Sequence, residues 1–138
     1  MSRSICIIDD DQIYQIIVKK IIFKAGIFEK VHCYENGYKA LKDFRDPAVP
    51  LPHLILLDIN MPGMDGWEFL SRLKDHRPQL HLETSIYIVT SSIAFSDRDK
   101  ALAMPEVSGF ISKPLTVGKL RKLGKSCKIF KGNRFDET

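Results

Sequence analysis

No apolar run in this chain approaches the ~20 residues needed to span a bilayer, and the N-terminal Met1-Ser2-Arg3-Ser4 leads into an apolar stretch without a signal peptide's layout. Cysteine is scarce and odd in number: Cys6, Cys33 and Cys127 are scattered without metal-ligand spacing. That pattern excludes a disulfide framework and reads as reduced cytosolic thiols. His32, His53, His76 and His81 lack any partner pattern, so a histidine-built metal or nucleophile site is not indicated. There is no internal repeat and no low-complexity stretch. Acid is absent from one segment: Lys113 to Arg134 holds eight Lys/Arg and no Asp/Glu. The other thirteen basic residues face all seventeen acids, so the body carries −4 and the segment +8. Only Phe130 and Phe135 interleave with those basic residues, and no DNA-reading motif is present. The segment is expected to be a solvated helix face plus a polar tail, with an anionic protein surface as the alternative and nucleic acid disfavoured.

What is present is a set of acids and donors at the ends of short apolar runs. Leu54-Ile55-Leu56-Leu57 has the unbroken hydrophobicity of a strand buried on both faces, and it ends in Asp58. Ile59 to Gly66 follows, dense in turn formers. Ile5-Cys6-Ile7-Ile8 ends in Asp9-Asp10-Asp11, Ile86-Tyr87-Ile88-Val89 in Thr90-Ser91-Ser92, and Phe110-Ile111-Ser112 in Lys113-Pro114. Helical patterns alternate with these runs, so the strands are expected to be parallel and their carboxyl ends to gather along one edge, where open α/β sheets place ligand sites. Clustered carboxylates repel and call for a cation. Hard oxygen donors of this number suit Mg²⁺, which keeps several waters and prefers phosphate oxygens as its other partners. A carboxylate beside it can act as nucleophile toward a phosphoryl group, while the Lys113 ammonium and Thr90 hydroxyl face the oxygens in flight.

These motifs, Ile-Ile-Asp-Asp-Asp, Leu-Leu-Asp-Ile-Asn-Met-Pro-Gly-Met-Asp-Gly, Ile-Val-Thr-Ser and Gly-Phe-Ile-Ser-Lys-Pro-Leu, resemble the CheY-like receiver domain of two-component response regulators. The resemblance covers roughly residues 4–125. It implies a flavodoxin-like α/β/α sandwich with a five-stranded parallel sheet in the order 2-1-3-4-5 and five helices. It also implies that Asp58 accepts phosphoryl from a phosphohistidine of a histidine kinase or phosphotransfer protein. Asp10, Asp58 and the Asn60 backbone carbonyl would ligate Mg²⁺, Asp9 acting largely through water. Thr90 and Lys113 would contact the phosphoryl oxygens, and Lys113-Pro114 would be a cis peptide. Thr90 and Phe110 would form the switch toward a downstream protein target. Tyr14, Pro114 and Leu115 would surround the site and contact a phosphotransfer helix. The family reading makes the protein a cytoplasmic signalling protein, not an enzyme. With residues 126–138 as a short basic tail, the chain is expected to be a stand-alone receiver without an output domain.

Two other readings compete. Phosphatases of the haloacid-dehalogenase type also combine an Asp nucleophile with a hydroxyl, Lys and acids, but there the nucleophile comes first and the acid pair last. Here the pair Asp9-Asp10 comes first, and Asn60 stands where a second carboxylate is needed. A phosphorylation-independent receiver-like module would usually have lost an acid, the Lys or the hydroxyl, and none is lost.

Between the strands, residues 11–25 carry Ile13, Ile16, Ile17, Ile21 and Phe23 in a helical pattern that stops at Gly26. Asp11 is expected to be first-turn helix charge, and Val31–Tyr34 a strand closed by an Asn36-Gly37 turn. Helices are expected over 38–45, over Gly66–Arg77 with Pro78 as its stop, from Ser96 to before Pro105, and over Thr116–Lys125. Met61 and Met64 are read as loop packing.

Overall fold

The computed structural model describes residues 3–91 and 94–126; Ser92, Cys127, Phe130, Phe135 and the basic residues beyond Ser126 lie outside them. Eleven elements alternate along the described chain: β1 (Ser4–Ile8), α1 (Gln12–Ala25), β2 (Lys30–Tyr34), α2 (Gly37–Phe44), β3 (Leu54–Leu57), α3 (Gly66–His76), α4 (Leu80–Glu83), β4 (Ser85–Thr90), α5 (Phe95–Leu102), β5 (Val107–Ser112) and α6 (Val117–Ser126). The strands form one parallel sheet in the order β2-β1-β3-β4-β5. All four residues of β3 are buried, because this central strand is covered on both faces. Leu54 and Leu56 point into one core with Ile5, Ile7 and Val89, beneath Val18, Ile22 and Ala25 of α1 and Leu120 and Leu123 of α6. Ile55 and Leu57 point into the other with Cys6, Ile8, Ile86 and Ile88, beneath α2, α3 and α4. Burying each such side chain contributes about 1.5–3 kcal/mol, and the two layers hold the strand ends in fixed register.

The elements depart from expectation where a short or ambiguous pattern was read. Six helices are present among the described residues, not five. Pro78 does stop α3, but Leu80–Glu83 adds one turn, anchored by Leu80 in the core, too short to show periodicity. In α1 the buried residues are Val18, Ile22 and Ala25, whereas Ile13, Ile16, Ile17 and Phe23 are exposed. Isoleucines ring this helix, so composition could not say which face turns inward. Asp11 is the α1 N-cap and not a first-turn residue, its carboxylate accepting from the Tyr14 N–H at 3.0 Å. Asn36 caps α2 in the same way instead of forming a turn, accepting from the Lys39 N–H at 2.8 Å. α5 begins at Phe95 with Ala94 as its cap residue, and Asp97 reaches back to accept from the Ala94 N–H at 3.4 Å. β5 starts three residues earlier than Phe110, because Ser108 and Gly109 masked its pattern. Gly26 closes α1 with φ of 69°, as expected.

Candidate functional site

Register decides which side chains meet. Ile8 pairs with Leu57, and the Asp58 N–H donates to the Ile8 carbonyl at 3.0 Å, so the chain leaves β1 and β3 side by side. Ligand oxygens of Asp9, Asp10 and Asp58 accordingly lie within 4.8 Å of one another. Asp9 and Asp58 are buried and Asp10 is exposed at the rim. Asp9 Oδ1 accepts from the Asp11 N–H at 2.9 Å, which turns its carboxylate inward and starts α1. Gln15, which sequence reasoning passed over, donates from Nε2 to the carbonyls of Asp9 (2.7 Å) and Tyr34 (2.8 Å) and ties the ends of β1 and β2 together. Only its spacing from the acids could have marked it.

Asp58 accepts from the Asn60 N–H at 3.0 Å through Oδ1. The loop beyond it is packed by Met61 and Met64, both buried, and capped by Asp65, which accepts from the Glu68 N–H at 2.8 Å. Gly66 follows because nothing larger fits: a Cβ there would stand 2.8 Å from the Asp58 carbonyl oxygen and from Ile59 Cα. The helix start is thereby seated on the backbone of Asp58 itself. Burial pushes the Asp58 carboxyl above its usual range; the Asn60 N–H opposes this, Asp9 adds to it, Lys113 opposes and Asp10 adds.

Lys113 comes from the far side of the sheet. The Lys113–Pro114 peptide is cis, and the Lys113 N–H donates to the Thr90 carbonyl at 3.0 Å, joining the ends of β4 and β5. Its Nζ donates to Asp9 Oδ2 at 2.9 Å and lies 3.9 Å from Asp58 Oδ2. Thr90 is buried at the end of β4, next to β3. Phe110 is half-buried opposite Ile88 and packs against the core shared with α3. Tyr14 sits in the first turn of α1 with its ring centroid 4.2 Å from Lys113 Nζ. Pro114 is exposed, but Leu115 is buried in the core beneath α1 and α6. Leu115 is therefore a packing residue and not part of a docking surface. Trp67, the second residue of α3, donates from Nε1 to Asp97 at 3.1 Å and lies under Lys100, so it joins α3 to α5.

His53 is at the opposite edge, where its Nδ1 accepts from the Ser4 N–H at 3.0 Å. Burial first, then Arg3, lowers its pKa, with Glu29 opposing. Cys6 and Cys33 are free thiols, both pushed up by burial. Among the described residues no helix is long and apolar enough to cross a membrane.

Comparison with known proteins fits this geometry. The sequence profile of the response regulator receiver domain matches residues 5–124. The two-component response regulator ORR41 of Oryza sativa subsp. japonica is 32% identical over 116 residues, covering 84% of this chain and 87% of that protein. The DNA-binding transcriptional regulator NtrC of Escherichia coli is 31% identical over 120 residues; the match spans 85% of this chain and 23% of that longer regulator. A two-component response regulator from Cytophaga hutchinsonii superposes with a TM-score of 0.83 at 30% identity, covering 91% of this chain and 96% of that one. The acid cluster, the lysine bridge and the flavodoxin-like sheet that carries them thus occur in a chain that belongs to the response regulator receiver domains of two-component signalling.

Proposed function

We propose that this receiver accepts a phosphoryl group on Asp58 from a phosphohistidine of a sensor kinase or phosphotransfer protein, and signals through phosphorylation-dependent protein binding or phosphorelay. The observation that carries the reading is the bridging of two buried carboxylates, Asp9 and Asp58, by the Lys113 ammonium, with a third acid within 4.8 Å. A structural salt bridge would need one carboxylate; three acids on one amine leave excess negative charge at the mouth of the sheet.

The donor set fits Mg²⁺: hard oxygens only, crowded and under-neutralised, with an exposed Asp10 at the rim. Asp10, Asp58 and the Asn60 carbonyl would hold the ion, Asp9 acting largely through water, and the ion when bound neutralises charge on the phosphoryl oxygens. Within this chain, one Asp58 oxygen attacks phosphorus in line. The P–N bond to the donor imidazole breaks, its electron pair stays on nitrogen, and an acyl phosphate forms. Lys113 and the Thr90 hydroxyl face the transferred oxygens, so the protein assists a transfer that its partner's phosphohistidine drives. It is a phosphoacceptor and not an enzyme with external turnover. The reading places it in the cytoplasm, where ATP feeds the kinase.

Docking of the donor follows from what surrounds the mouth. Tyr14 and Pro114 stand at the rim, and Ile13, Ile16 and Ile17 expose apolar side chains on the first two turns of α1, where the core has no use for them. An apolar surface beside a charged cleft suits an amphipathic helix presenting a phosphohistidine. Phe110 and Thr90 are the switch that carries the charge change toward α5 and β5.

The test is intact mass after incubation with acetyl phosphate, with and without Mg²⁺, for the wild type and Asp58→Asn. One Mg²⁺-dependent phosphoryl adduct, absent from the variant, is the expected result. A folded wild type that takes up no phosphoryl group under these conditions refutes the reading and leaves a phosphorylation-independent module.

A further inference from the structure

Lys113 is touched by three elements at once. Its Nζ donates to Asp9 Oδ2 at the end of β1, lies near Asp58 Oδ2 at the end of β3, and stands 4.2 Å from the ring centroid of Tyr14 on α1. A lysine ammonium is a compact charge on a flexible four-carbon stem, so its direction is set by its contacts. Two of these contacts change during the transfer. Asp58 becomes the acyl phosphate, and Asp9 belongs to the acid set that faces the metal. Tyr14 alone is neither a metal-facing acid nor chemically altered by the transfer. Its hydroxyl is pushed up to about 12, by burial first and then by Asp9 and Asp58. The ring is therefore neutral throughout the physiological range, and its quadrupole attracts a cation whatever the charge on Asp58. The first turn of α1 is fixed by the Asp11 cap, which bonds the Tyr14 N–H itself, and the ring is half-buried against the core beneath α1. A ring held at both backbone and side chain is a rigid support for a mobile amine.

We propose that Tyr14 is a positioning residue for phosphoryl transfer, its ring face keeping the Lys113 ammonium over Asp58 both before and after the acyl phosphate forms. This rests on the reading of Asp58 as phosphoacceptor. The ring carries the effect and the hydroxyl does not. The effect acts on the transfer itself, so it is felt with a small donor that needs no docking surface.

The experiment compares full-length wild type, Tyr14→Phe and Tyr14→Leu with acetyl phosphate and Mg²⁺, following the phosphoryl adduct by intact mass. In this reaction the donor's P–O bond breaks, acetate leaves with the electron pair, and the Asp58 Oδ–P bond forms. Tyr14→Leu is expected to be phosphorylated roughly threefold to tenfold more slowly, the range set by a partly shielded cation–π contact. Tyr14→Phe restores most of the lost rate. A second readout is independent of activity: the Lys113 ε-methylene protons are shifted upfield by the ring in wild type and Tyr14→Phe, and return to ordinary positions in Tyr14→Leu. Equal rates in wild type and Tyr14→Leu overturn the proposal. So does a slow Tyr14→Leu whose Lys113 resonances have not moved, since the loss then bypasses the amine. A Tyr14→Phe as slow as Tyr14→Leu assigns the effect to the hydroxyl and also overturns it. A defect seen only with a phosphohistidine protein as donor makes Tyr14 a docking contact instead. Failure of the wild type itself to form an adduct sinks the phosphoacceptor reading and this proposal together, while the ring-current shift in the unmodified protein would still be present.

Discussion

Replacing Asp58 by Asn should make the metal-free protein more stable. The oxygens of Asp9, Asp10 and Asp58 lie within 4.8 Å of one another, so at an effective dielectric of about 20 each pair of charges costs at least about 3.5 kcal/mol. Lys113, at 3.9 Å from Asp58, returns about 4 kcal/mol on the same scale. Asp58 thus faces two repulsions against one attraction, with burial added; screening at the exposed Asp10 reduces that share. Asn has the same size and keeps the oxygen that accepts from the Asn60 N–H. The net gain expected for Asp58→Asn is about 1–2 kcal/mol, a rise of roughly 3–8 °C in Tm for a chain of this length. The sign of the pH dependence follows from the raised carboxyl. Between the ordinary Asp range and the raised value the folded wild type binds more protons than the unfolded chain, so it gains stability as pH falls through that window. The gap between variant and wild type is full at neutral pH and closes in acid. Mg²⁺ should close it from the other side, because a cation among the acids stabilises the wild type in preference to the variant. Thermal unfolding by circular dichroism at low salt, with EDTA or Mg²⁺, from pH 4 to 8, measures all three. An Asp58→Asn protein no more stable than wild type in EDTA at pH 7.5 would show that Lys113 balances the acids and that the charge reasoning is wrong.

Gly66→Ala should destabilise by about 1–3 kcal/mol and slow phosphorylation together, because the added carbon meets backbone at 2.8 Å and must displace Asp58; urea unfolding alongside adduct mass tests it, and a stable, fully active variant would refute the close-packing account. Arg77→Met should cost about 2–4 kcal/mol without slowing phosphorylation: the buried guanidinium donates to the carbonyls of Phe44 (3.1 Å) and Val49 (2.7 Å), which would be orphaned far from the acids, so unchanged urea stability would sink the idea. Asp97→Ala should cost about 1–2 kcal/mol and red-shift the emission of Trp67, the single tryptophan, as its indole N–H loses its partner to water; an unshifted spectrum counts against that bond in solution.

The acids, hydroxyl and lysine were legible because each terminates an apolar run, and parallel strands bring such termini to one edge whatever the helices do. Asp9, Asp58, Thr90 and Lys113 needed only a strand count and a direction. Helix faces carried less information. α1 offers isoleucine on most sides, and which residues turn inward depends on where the helix lies across the sheet, a long-range fact. Leu115 looked like a rim residue because it follows Lys113-Pro114, yet the chain turns there and drives it into the core. Gln15 and the Trp67–Asp97 bond were invisible because each links segments 19 and 30 residues apart through side chains with no pattern of their own. α4 and the first half of β5 are short and without periodicity; Leu80, buried in the core, anchors the one, and Val107, partly buried against the same core, begins the other.

On the proposed reading, the crowding that should destabilise the empty site also lets one amine serve as both lock and sensor. Lys113 donates to Asp9 and pairs more loosely with Asp58, so one amine bridges two acids of a cluster of three without neutralising it. A phosphoryl group on Asp58 would add charge at the acid that Lys113 contacts less closely, and the ammonium, held over Asp58 by the Tyr14 ring, would tighten that contact. Its backbone N–H is bonded to the Thr90 carbonyl, which ties the lysine to the end of β4, where the Thr90 hydroxyl would be drawn toward the same oxygens. Phe110 lies on the neighbouring strand opposite Ile88, two residues before Thr90. A movement of the β4 end would therefore reach Phe110 through the β4–β5 pairing. The proposed donor face and readout face would then lie on opposite sides of Lys113, so that the protein would remain recognisable to its phosphodonor while its other surface changed.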